Sequence, residues 1–136
     1  PVFAPAYWHR VQHHLEQVKL LHSQTRPQAW QSWSDSYGNT RLLTNGQQSF
    51  AHFYFCLQAV VDGLGAAIGS YPLVADDIES GRLVAPFGFI PSGHSYILLS
   101  QKGSTDELEA QFSLWLRQAL GQCVPTAAQG EGMVRL

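Results

Sequence analysis

The stretch "YPLVADDIESGRLVAPF", residues 71–87, decides the fold, because its three neighbouring carboxylates are either acid/base chemistry or backbone punctuation. Leu73 and Val74 read as the end of a strand, with Asp76 where a helix N-cap would sit. Glu79 falls three residues later. That is the reciprocal capping pattern, in which each side chain accepts from an orphan backbone N–H. Gly81 supplies a left-handed exit, and "RLVAPF" resumes as a strand ended by Pro86. On this reading Asp76, Asp77 and Glu79 cap one helical turn between two strands, in preference to a catalytic or metal-binding role.

Working outward, helices and short strands alternate. "PAYWHRVQHHLEQV" carries Tyr7, Trp8, Val11, Leu15 and Val18 at helical spacing, as one helix or two short ones. "KLLHS" reads as a buried strand. Pro27 opens a helix on which Trp30, Trp33 and Tyr37 share a face, and Gly38 ends it. "TRLLT" and "QQSF" read as strands around the turn dipeptide Asn45-Gly46. The run from His52 to Asp62 is apolar nearly all round, as in a buried helix. "GLG" stops it, and "AAIGSY" reads as another strand. "SYILLSQ" is a further strand, and Ser104 with Glu107 suggests a second capping box. Leu108, Phe112, Trp115, Leu116 and Leu120 then form one apolar face of a last helix, ended by Gly121 and Pro125. The tail beyond lacks any apolar period and is expected to be flexible. Strands alternating with helices imply an α/β fold, a mostly parallel sheet flanked by helices.

The totals narrow the function. A chain of 136 residues is one domain's worth, and its 45% hydrophobic content supports a core. The net charge is -2 and the basic residues are scattered, so the chain by itself has no electrostatic footprint for nucleic acid or an anionic membrane. No run approaches the length of a membrane span, and no signal peptide is visible. Cys56 and Cys123 fit no metal spacing, and two unpaired cysteines suit a reducing, cytoplasmic setting.

Candidate chemistry is sparse. His9, His13 and Glu16 would share a face of one continuous helix, as zinc ligands might need, but no fourth ligand is signalled and a polar face explains them as well. His52 and Cys56 are four apart, yet their helix is so apolar that an inert thiol is the better reading. The glycines of "GLGAAIG" follow a helix and precede a strand, the reverse of a dinucleotide fingerprint. Gly63 and Gly65 instead suit a helix stop and close backbone packing. No cofactor or metal is expected, and no enzyme. Aromatic residues near strand ends are more suggestive, because ligands of open α/β sheets bind outside the carboxyl ends of strands. A helix N-terminus beginning near His52, Phe53 and Tyr54 would suit an anionic ligand group.

With these pieces in hand, the order "SF…LQAVVDGLGAAIG…PLVADDIESGRLVAPF", preceded by "PVFAPAY", "LLH" and "AWQSW", resembles the effector-binding domain of LysR-type transcriptional regulators. The glycine-cleavage-activator and beta-lactamase-activator branch is the nearest in pattern, over roughly residues 1–120. The resemblance implies a type II periplasmic-binding-protein-like fold of two subdomains with a small-molecule effector between them. Residues 1–94 would be the second subdomain, 95–121 the returning strand and helix of the first, and 122–136 a tail. The DNA-binding winged helix-turn-helix and most of the first subdomain would lie outside this chain. The last helix would then need a new partner, by folding back or by exchange within a homodimer. The family commonly places small hydroxyl residues after the phenylalanine matching Phe50. Here Ala51, His52, Phe53 and Tyr54 occupy those places, making a bulkier, more aromatic cleft, with Ser23, Gln24 and Thr25 on the opposite rim. The competing expectation is a solute-binding module of a transport system.

Overall fold

The computed structural model describes residues 1–38, 40–99 and 107–125. Strand β1 (Leu20–Ser23) organises it. Leu20 joins one buried cluster with Phe3, Tyr7, Trp30, Trp33 and Phe87, whereas Leu21 joins a second with Cys56, Val60, Val74 and Leu83. Successive strand residues point to opposite faces, so β1 is apolar on both sides. Two-sided burial of this kind is what an internal strand of a parallel sheet requires.

Strand β2 (Gln47–Phe50) pairs with β1 in parallel, from Leu20 opposite Gln47 to Ser23 opposite Phe50. Beyond β1, Leu20 bridges Ala66 in parallel, Val2 bridges Ala67 antiparallel, and Phe3 bridges Val84 antiparallel. The layer is therefore mixed, and parallel around β1. The expected strands "AAIGSY" and "RLVAPF" shrink to these single bridges, held by short contacts such as Leu21 N–H to Ala66 O at 2.8 Å and Val84 N–H to Phe3 O at 2.8 Å.

Helix α1 (Pro5–Val11) and a 3-10 turn at Leu15–Gln17 replace any single long N-terminal helix. Helix α2 (Ala29–Tyr37) packs Trp30 and Trp33 into the first cluster. Trp30 Nε1 donates to Leu21 O at 3.0 Å, pinning α2 to β1, and Gly38 ends the helix at φ 78°. Helix α3 (Phe53–Val61) packs Cys56, Leu57 and Val60 into the second cluster. The two connections around β1 thus cover opposite faces of the sheet.

Three expectations need correction. Residues 41–44 form a 3-10 turn, not a strand: Leu42 is buried, and Asn45 Nδ2 donates to Leu15 O at 2.6 Å and Val18 O at 3.0 Å, so the chain straightens only afterwards. Residues 71–79 form helix α4 (Tyr71–Glu79), not a strand end plus a cap. Tyr71, Val74 and Ala75 are buried and Ile78 packs on the second cluster, at offsets of three, four and seven. The residue at the N-cap is Ser70, without a side-chain cap bond; Asp76 lies inside the helix, so the capping box dissolves. Gly81 does leave in the left-handed region, at φ 73°. Third, residues 95–99 carry no regular structure, and helix α5 (Glu107–Gln122) runs through Gly121. Position 104 of the second capping box, the end of "SYILLSQ" and the tail from 126 onward lie outside the described residues.

Close packing at Gly65 makes a test. A Cβ there would meet Lys19 O at 2.5 Å and Leu21 Cγ at 2.9 Å, whereas one on Gly46 would meet nothing within 4 Å. Gly65→Ala is expected to cost about 1–3 kcal/mol by overpacking, and Gly46→Ala to leave stability nearly unchanged, by chemical denaturation.

Candidate functional site

Parallel pairing brings the carboxyl ends of β1 and β2 side by side. The Gln24 N–H donates to Phe50 O at 2.9 Å, carrying the pairing one residue past the strands. The chain then turns on hydroxyl contacts. Ser23 Oγ lies 2.6 Å from Thr25 Oγ1 and also accepts from the Thr25 N–H at 3.3 Å. Across from it, Ala51 and His52 lead into α3. His52 is the N-cap residue but makes no side-chain cap bond, so it satisfies none of the first amides of α3. All seven residues singled out in the sequence therefore stand at this one end of the sheet.

They do not all share a surface. Ser23 and Gln24 line an open groove of about 430 Å³, together with His22 and Gln47, Gln48 and Ser49 of β2. Ser23 and Phe53 line a small void of about 10 Å³, shared with His22, Arg26, Trp30 and Cys56. Thr25, Ala51, His52 and Tyr54 line neither, and Tyr54 is 71% exposed. Sequence reading missed Arg26, which donates from Nη1 to Ser70 Oγ at 3.1 Å and so ties the β1 exit to the start of α4. It also missed the polar run Gln47–Ser49. Of these, Ser49 is the register partner of His22, and so the two share a face.

The electrostatics disfavour nucleophilic chemistry. Burial pushes the Cys56 thiol up to about 11. Burial also holds the His22 imidazole below its ordinary value, and its Nε2 is buried without a partner among the described residues. Helix α1 ends at Val11, so His13 and Glu16 fall beyond it and do not share a helical face with His9. Among the described residues no group of three or more His, Cys, Asp or Glu is gathered to hold a metal ion. Of the opening acids, Asp77 accepts from Arg82, at 2.7 Å from Nε and 2.6 Å from Nη2.

This architecture has relatives. Residues 1–121 match the LysR substrate binding domain family. The chain belongs to that family. It is 42% identical over 106 residues to the HTH-type transcriptional regulator TrpI of Pseudomonas aeruginosa, covering 78% of this chain and 36% of that protein. It is 30% identical over 104 residues to the glycine cleavage system transcriptional activator of Escherichia coli K12, covering 75% and 34%. The chain thus spans about a third of the length of these relatives, which are transcriptional regulators. The AmpR effector binding domain from Citrobacter freundii superposes with a TM-score of 0.63 at 23% identity, over 89% of this chain and 62% of that one. The fold is therefore the α/β, periplasmic-binding-protein-like one of that domain. No helix among the described residues is long and apolar enough to cross a membrane.

Two outcomes follow for the titratable groups. At pH 8 a thiolate-selective reagent should modify Cys123, which is partly exposed, and spare Cys56, where about one thiol in a thousand is ionised. One thiol per chain is expected in native protein and two in denaturant. For His22, the unfolded chain binds the proton more readily than the folded one. Stability is therefore full above about pH 6.5 and falls as the pH drops through that value. Denaturant titrations at pH 7.5 and 5.5 should show this, and His22→Gln should flatten the difference.

Proposed function

We propose that this chain is the second lobe of the small-molecule-sensing domain of a LysR-type transcriptional regulator. The observation that carries the reading is the convergence of the β1 and β2 carboxyl ends with the uncapped start of α3, beside an open polar groove. Open α/β sheets place ligands at such strand ends. Ser23, Gln24 and Thr25 form one rim of the effector site, and Ala51, His52, Phe53 and Tyr54 the other. The aromatic rim suits apolar parts of an effector. The hydroxyl turn and the α3 amides suit its polar or anionic parts.

Residues 1–94 constitute the lobe. Residues 95–121 return to the first lobe, and the apolar face of α5 supports this assignment. Helix α5 buries none of its residues, and Leu108 and Trp115 are 72% and 60% exposed. Such a face calls for a covering partner, either the first lobe or a second copy in a homodimer. The whole regulator works in the cytoplasm without enzymatic activity and reads DNA through an N-terminal winged helix-turn-helix. Effector binding favours one closure of the two lobes, and that population shift re-sets the dimer on DNA.

The test uses the full-length regulator. Ser23→Ala combined with Thr25→Val should weaken the effector-dependent reporter response by about tenfold per lost hydrogen bond, while effector-free DNA binding is retained. An unchanged response would remove this rim from the site. A signal peptide encoded upstream, in place of a helix-turn-helix, would favour a transport-type solute-binding module.

A further inference from the structure

Asn45 and Gly46 stand side by side, and the fold makes opposite demands of them. Asn45 Nδ2 donates to Leu15 O at 2.6 Å and to Val18 O at 3.0 Å, so both hydrogens of the side-chain amide are used. These bonds clasp the approach to β2 onto the chain that enters β1. Gly46 meets no comparable demand. Its backbone does not lie in the left-handed region, and a Cβ built on it would meet nothing within 4 Å. Its carbonyl accepts the Leu20 N–H at 2.8 Å, which any residue could do, and its own N–H has no partner among the described residues.

Chemistry gives this pair a meaning that packing does not. Asn45 is the chain's only asparagine followed by glycine. The backbone nitrogen of the following residue can attack an asparagine amide carbon, and a glycine, lacking Cβ, crowds that nitrogen least. The Gly46 nitrogen bonds to Asn45 Cγ and gives up its proton, the Cγ–Nδ2 bond breaks, and ammonia leaves a cyclic imide. Water then opens one of the two ring C–N bonds, giving an aspartyl residue or an isoaspartyl residue whose backbone is longer by a methylene.

The folded chain restrains this reaction. The nitrogen that must leave is the one held by Leu15 O and Val18 O, so the imide forms only when the clasp has opened locally. The product cannot close again in the same way. A carboxylate oxygen in place of Nδ2 is an acceptor set against two acceptors. An added methylene would fall just ahead of β2, whose register with β1 begins at Leu20 opposite Gln47.

We propose that Asn45-Gly46 is a self-modifying site, at which deamidation turns a transient opening of the clasp into a permanent unfastening of β2 from the entry to β1. Such a switch does not depend on what binds at the strand ends.

Full-length protein is aged at mildly alkaline pH, native and in urea. Trypsin releases the segment that begins at Leu42, in which Asn45 is the only asparagine, and mass spectrometry follows its conversion from amide to acid. Conversion should be slower in native protein by about tenfold or more, because it waits on opening. Gly46→Ala should slow it by about tenfold or more in urea, while leaving native stability nearly unchanged. Converted molecules in the native sample should be the first cut by a brief pulse of protease. Asn45→Asp should lower the folding equilibrium constant by about tenfold or more, or prevent folding, since two hydrogen bonds are lost. Equal rates in native protein and in urea would overturn the restraint by the clasp. No conversion in urea, or the same rate with Gly46→Ala, would overturn the site. Converted molecules as protease-resistant as the parent would overturn the unfastening.

Discussion

The register of β1 against β2 is the constraint on which the rest depends. A slip of one residue would exchange Leu20 and Leu21 between the two faces and turn each apolar side chain to the wrong cluster. Each fully buried leucine contributes about 2 kcal/mol, so both faces oppose the slip. Polar pegs reinforce it from outside the ladder. The Lys19 N–H donates to Tyr7 Oη at 2.9 Å just before β1, and Trp30 Nε1 takes the Leu21 carbonyl within it. The same register sets Ser23 beside Phe50 and makes His22 share a face with Ser49. One backbone pairing therefore fixes the core and also decides which side chains meet at the candidate site.

The sequence was most legible where a local signal and the tertiary environment agree. "LLH" is short, apolar and β1 in the structure; the Trp30–Trp33–Tyr37 face with Gly38 behind it is α2; the continuous apolar run after His52 is α3. Gly63 leaves α3 at φ 75°, and Gly65 sits against the Lys19 carbonyl, the two roles their positions suggested. It was least legible at 71–79. There the adjacent aspartates draw the expected helix start forward to Asp76, whereas the structure starts it at Tyr71 with Pro72 in the first turn. Pro in the first helical turn loses no bond. Once it is placed there, Tyr71, Val74, Ala75 and Ile78 fall on one face. Residues 41–44 failed for a different reason: the Asn45 anchor is made by residues some thirty positions away, and no local pattern reports it.

The acids of the opening stretch cap no helix start: they lie in the last turns of α4, where the backbone bonds are made by main-chain carbonyls. Asp76 O accepts the Ser80 N–H at 2.9 Å and Asp77 O accepts the Leu83 N–H at 3.0 Å, while the Asp77 carboxylate grips Arg82. These bonds reverse the chain tightly enough for Val84 to reach Phe3 and for Phe87 to enter the first cluster. Any residue supplies such a main-chain carbonyl, so these two bonds leave no trace in the side chains, and position relative to the apolar period is what places Asp76 and Asp77 inside the helix.

An effector site at the open ends of β1 and β2, as proposed above, would have an energetic consequence. A small ligand is held by burying most of its surface, and one rim of hydroxyls and amides leaves much of it in water. The chain covers 62% of the AmpR domain chain, and α5 buries none of its residues. A second wall would complete both surfaces at once: it would bury α5 permanently and the ligand only when closed. The first contact is the same with or without ligand and cannot shift a population; the second differs between states and can. On the function proposed above, sensing would reside in the polar groups at the ends of β1 and β2, and the apolar contact around α5 would supply the fixed hinge against which they act.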